Sequence, residues 1–149
     1  MKAGRIMKRV TVLLAGTLFS GAVAVSAAPY DGEGGLPQRY VDASLVAKVR
    51  IAGVHRVVDQ ALSEPGMTAV LGYVYSGVAE KVWRGPAGKL IAFRLELSAC
   101  QSKLQEGEAY LIFAHTDADG LLELTDCSDA IAESQADSLL VQLNGEQKG

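Results

Sequence analysis

The side chains that could do chemistry are few and scattered. The two histidines are His55, beside Arg56 in a polar stretch, and His115, at the end of a strand-like run. A nucleophilic serine of the hydrolase type needs a Gly-x-Ser-x-Gly elbow, and a zinc hydrolase needs paired histidines on one helix; neither pattern occurs. Both histidines therefore read as surface or strand-edge residues. Asp117-Ala118-Asp119-Gly120, followed by Glu123 and Asp126, has the outline of a calcium loop. Such a loop needs three spaced oxygen ligands before its glycine and a glutamate after it. Only Asp117 and Asp119 precede Gly120 at that alternation, and position 126 is aspartate, so the run reads as an Asp-Gly hairpin turn.

Cys100 and Cys127 lack the Cys-x-x-Cys spacing of a redox dithiol. Two cysteines and two distant histidines are also too few ligands for a zinc site. In an exported chain the cysteines are most simply joined to each other. Closing a loop of this length contributes roughly 3–4 kcal/mol in the chain-entropy picture. No catalytic residue, metal or cofactor is assigned, and the chain is expected not to be an enzyme. The remaining candidate is Tyr73, Tyr75 and Trp83, which share a parity on one long strand, opposite Val70, Val74, Val78 and Val82. With the valines buried, this aromatic row would form a partly exposed binding face.

The elements that must position these residues are mostly strands. Leu45, Ala47, Val49 and Ile51 alternate with Lys48 and Arg50, which predicts a half-buried strand ended or bulged at Gly53. Residues 55–67 show no clean period and carry Pro65-Gly66; they read as a loop with a single helical turn. Residues 68–83 predict a long strand, and Gly72 and Gly77 within it suggest a sheet that curls. Strands over 90–97, 109–115 and 121–124 follow, with a polar connection between Cys100 and Glu108. After Cys127 the period becomes helical through Ile131, Ala132, Ala136, Leu139, Leu140 and Leu143, with Ser128 or Asp129 as the N-cap. The expected fold is mainly β: a five-stranded OB-like barrel with a C-terminal amphipathic helix, a two-sheet sandwich being the alternative.

Residues 1–27 read as a signal peptide. Lys2, Arg5, Lys8 and Arg9 precede an apolar run from Val10 to Val25, and Val25-x-Ala27 is a small-x-small cleavage pattern that would leave Ala28 first. Its sixteen apolar-run residues fall short of the roughly 20 needed to span a bilayer. Residues 28–40, with Pro29, Gly32, Gly34, Gly35 and Pro37, read as a flexible lead-in to a domain over 41–145. Removing the leader leaves ten basic residues against seventeen acidic ones, a net charge of −7. That balance disfavours nucleic acid and anionic membrane, which reward lysine and arginine clusters.

The order of strands, with Trp83-Arg84-Gly85, Cys100, Gly107-x-x-Tyr110-Leu111-Ile112-Phe113-Ala114 and Leu122-Glu123-Leu124-Thr125-Asp126-Cys127, resembles a known family. It is the netrin-like module shared with the tissue inhibitors of metalloproteinases, in its bacterial secreted form, and the resemblance covers about residues 40–143. It implies a five-stranded barrel with a packed helix, a Cys100–Cys127 disulfide, and a fold whose relatives mostly bind proteins or matrix. The animal inhibitors chelate the protease zinc through an N-terminal cysteine. No cysteine precedes residue 100 here, so that route is not carried over. The expectation is a secreted or periplasmic, non-enzymatic binding module whose partner is an unidentified extracytoplasmic protein. The alternative is a metalloendopeptidase inhibitor acting without an N-terminal cysteine, through the 28–40 arm or a barrel loop.

Overall fold

The computed structural model describes residues 35–86 and 88–147. The expected leader and residues 28–34 of the lead-in lie outside them. Residues 35–40, expected to belong to that flexible lead-in, instead lie in helix α1 (Gly35–Asp42). Leu36 and Tyr40 explain it, because both pack on the outer core described below. The Tyr40 hydroxyl also donates to the Trp83 carbonyl at 2.8 Å.

Six strands follow: β1 (Leu45–Glu64), β2 (Met67–Arg84), β3 (Leu90–Glu96), β4 (Ala109–Thr116), β5 (Leu122–Leu124) and β6 (Ala130–Ala132). The strand order is β1-β2-β3-β5-β4-β6, and β1 also pairs with β4. That extra pairing closes β1, β2, β3, β5 and β4 into a ring, with β6 added outside on β4. All contacts are antiparallel except β3–β5, which is parallel. A ring, rather than two stacked sheets, is thus what the alternating strands build: the OB-like arrangement.

Gly77 is needed for the curl. A Cβ there would lie 2.3 Å from Val49 Cγ1 and 2.8 Å from the Arg50 carbonyl oxygen, so no side chain fits where β2 bends over β1. Inside the ring lie Leu45, Ala47, Val49, Ile51, Tyr75, Phe93, Leu95, Ile112 and Leu124, closed by Leu104 from the β3–β4 connection. Outside it, a second core joins Val46, Trp83, Leu111, Phe113 and Ile131 to Ala136 and Leu143. β4 serves both, and Ala109–Ala114 are buried without alternation.

Two expectations about elements are corrected. Residues 55–67 form no helical turn: β1 continues through them to Glu64, and Glu64 faces Met67 across the hairpin turn. Bulges after Ile51, Val57 and Asp59 broke the alternation that sequence reading relies on. The C-terminal helix, α2 (Asp137–Glu146), also begins later than its periodicity suggested. Ile131 and Ala132 are taken by β6, opposite Leu111 and Tyr110. Neither Ser128 nor Asp129 caps α2: its N-cap is Ala136, with no side-chain cap bond, and Asp126 heads the separate 3-10 turn Cys127–Asp129, its carboxylate accepting the Ser128 N–H. The cysteines are joined as expected, with Cα atoms 4.9 Å apart.

Candidate functional site: an open groove over two strands

The aromatic row is not one exposed face. Tyr75 is fully buried inside the ring, stacked 5.4 Å from Phe93, and its hydroxyl accepts the Leu104 N–H at 3.1 Å. Burial raises its pKa above the usual phenol value. Tyr73 is half-buried beside it, with the Lys103 ammonium 5.4 Å from its ring centroid. Trp83 is buried in the other core, on the opposite side of the sheet. The cause is a bulge: Val49 faces Ala79 but Lys48 faces Lys81, leaving Glu80 as an extra residue. The parity therefore inverts after Ala79, turning Val82 toward the inner core and Trp83 out. Tyr73, Tyr75 and Trp83 build the fold rather than a shared binding surface.

The valine row behaves in the converse way. Val74 and Val78 share the outer face of β2 with Ser76, and none of the three is fully buried. Ala92 and Arg94 lie outward on β3, while Ile91, Phe93 and Leu95 point in. A groove of about 230 Å³ runs here, lined by Val57, Val74, Ala92, Arg94, Leu121 and Leu122. Beyond Ala92 a second hollow of about 380 Å³ is lined by Ala52, Ser76, Leu90 and Ile91. Leu90 is 81% exposed and Leu121 58% exposed at the two ends. Together they form an apolar trough open to solvent, bounded by the β1–β2 hairpin and the β4–β5 turn. These are the elements with which five-stranded rings of this type hold ligands.

The turn is held rigidly. Asp117 Oδ1 accepts the N–H groups of Asp119 and Leu121 at 2.9 and 2.8 Å, and Gly120 takes the positive φ the turn requires. The other oxygen of Asp117 lies 3.2 Å from the Arg94 guanidinium, which also reaches Glu123 at 3.1 Å. The hydrogen bond to Glu123 raises the Arg94 pKa further. The Asp117–Gly120 run thus spends its carboxylate on the backbone and on Arg94. Among the described residues no group of three His, Cys, Asp or Glu side chains is placed to hold a metal ion.

The histidines are far apart in role. His55 is exposed on the outer side of β1, opposite Val74. His115 borders a polar hollow of about 360 Å³ with Arg39, Asp42, Phe113, Asp126, Ser128 and Asp129. The charged groups there hold the fold. Arg39 lies over the Phe113 ring at 4.2 Å and donates to the Ser128 carbonyl at 2.6 Å. Asp129 accepts from the N–H groups of Thr125 and Asp126 and from the Thr125 hydroxyl. The Ser128 N–H lowers the Asp126 pKa below the usual carboxylate range. This hollow pins α1 to the segment after β5.

Sequence reading did not find the groove, because its lining residues are mostly aliphatic, form no motif and come from four separate segments. Among known proteins, no family model matches the chain and no curated protein shows significant similarity to it.

Proposed function

We propose that the chain is an exported, non-enzymatic binding module of the netrin-like and TIMP-like kind, which holds a partner protein in the groove over β2 and β3. The observation that carries this is the open apolar trough lined by Val57, Val74, Ala92 and Leu121. An apolar surface left in solvent by a folded chain marks an interaction site. The acidic balance argues against nucleic acid as occupant. The disulfide suits an oxidising compartment outside the cytoplasm. No helix among the described residues is long and apolar enough to cross a membrane.

Crosslinking capture from envelope and secreted extracts tests the reading, with Ala92→Arg as the paired bait. Ala92 is exposed, so arginine fills the groove without disturbing the core. A partner recovered by the native protein and lost from Ala92→Arg supports the groove. The same partner recovered equally by both removes it. Mass spectrometry of the secreted protein should find Ala28 as the first residue; an intact N-terminus on the exported protein would refute the cleavage site.

A further inference from the structure

Resting on that groove reading, we infer that the occupant is an extended segment of a partner protein, apolar in alternation and bearing a lysine or arginine, added as a strand to the open edge of β3. Three observations carry it.

The first is unequal bonding of β3. On one side, Leu90–Glu96 pair with β2 along the whole strand; on the other, β5 reaches only Arg94 and Leu95. Leu90 to Phe93 therefore have no strand on that side among the described residues. Backbone N–H and C=O groups of such an edge are satisfied by water or by an added strand.

The second is what an added strand would find there. Its side chains alternate between faces. Those on the outer face lie beside Ala92 and Arg94 and reach the hollow that extends from β3 toward Leu121 and Leu122.

The third is charge. Residues 116–125 carry Asp117, Asp119 and Glu123 and no lysine or arginine, and Glu96 adds a fourth carboxylate. Glu96, Asp117 and Glu123 share the single guanidinium of Arg94, and Asp119 stands exposed in the turn beside them. A segment with a basic residue at this end is attracted, and an acidic one is repelled.

The test is selection of short random peptides displayed on phage against the immobilised native protein, with Ala92→Arg as the parallel bait. Enriched peptides are then measured by fluorescence polarisation. Alternating apolar peptides with a lysine or arginine should be enriched on the native protein alone. Changing that basic residue to glutamate should weaken binding about threefold or more, the range of an exposed ion pair. Methylating alternate peptide amides should weaken binding about tenfold or more in one register and little in the other, because only one register donates to β3. Asp119→Lys, in the exposed turn, should lower the preference for basic peptides without changing the thermal melt.

Enrichment lost on Ala92→Arg but showing no basic preference, or indifferent to methylation in both registers, overturns this inference and leaves the groove standing. Equal enrichment on both baits overturns the groove itself. No enrichment on either overturns the strand-addition inference.

Discussion

The outer surface of one curled sheet carries apolar side chains in two regions that differ in what covers them. Over β1, β4, β6 and the C-terminal end of β2, Val46, Trp83, Leu111, Phe113 and Ile131 lie beneath α1 and α2 and are buried. Over β2 and β3, no helix among the described residues covers Val74, Ala92, Leu90 and Leu121, and two of these are more than half exposed. The side chains differ accordingly. The covered region uses large residues that fill the space under a helix. The open one uses alanine, valine and serine along its floor, with Leu90 at one end and Arg94, Leu121 and Leu122 at the other. A large apolar side chain left in water carries a cost that burial removes, about 25 cal/mol per Å². Small residues keep that cost low and leave room for an occupant. The contrast separates apolar surface that holds the fold from apolar surface available to a partner.

The largest expected effect that would break this contrast is on the covered side. Trp83→Ala should destabilise the protein by about 3–5 kcal/mol, because it opens a cavity beneath α2 and removes the indole N–H bond to Asn144 at 3.2 Å. Denaturant unfolding measures it; a loss below about 1 kcal/mol would mean that Trp83 is not part of a packed core. Cutting the disulfide should come next. It ties the β3–β4 connection, which carries the buried Leu104, to the turn after β5. The Cys100→Ser and Cys127→Ser double variant should lose roughly 3 kcal/mol from a separation of 27 residues. An unchanged denaturation midpoint would show that the covered core alone holds that connection.

A smaller effect sharpens the comparison through pH. The covered side is flanked by an ion cluster: Lys48 bonds Glu133 and lies 3.0 Å from Glu80, which pairs with Arg50 at 2.7 Å. The bulge that inverts the parity of β2 is what turns Glu80 toward them. The hydrogen bond from Lys48 lowers the Glu80 pKa, so its contribution to stability is present above the ordinary carboxylate value. It is lost as pH falls through the depressed value. The bond to Glu133 raises the Lys48 pKa, so that contribution is present below about 10.5 and is lost as pH rises through the raised value. Lys48→Met should flatten both limbs of the stability–pH curve relative to the native protein. A parallel curve, merely displaced, would contradict the assignment. The smallest expected effect is on the open side. Leu121→Ser should change stability by no more than about 0.5 kcal/mol, as for exposed sites generally. A loss of 2 kcal/mol, roughly that of a buried leucine, would show that the groove is closed core rather than open surface.

Much of the ring was legible in the chain. Ala47 to Ile51, and Leu90 to Glu96, alternate because each strand there has one dry face and one wetter one. The Asp-Gly turn needed only local chemistry, and the expectation that the two cysteines are joined is met. The distal half of β1 was not legible, since its bulges shift the period at each step. The start of α2 was not legible either, because Ile131 and Ala132 suit a helix as well as the strand they join.

By itself, the sequence determined a mainly β fold with a C-terminal helix and its Asp-Gly turn, because these follow from periods and spacings within a few residues, whereas the joining of Cys100 to Cys127 across 27 residues was settled by the fold. Which row of β2 faces water was decided only in three dimensions. One extra residue, Glu80, reverses the parity of the strand, and the sequence does not mark where such a bulge falls. The groove was decided there too. Val57, Val74, Ala92 and Leu121 are ordinary residues in their own segments, and they become a site only where the closing ring leaves one outer face without a helix above it among the described residues.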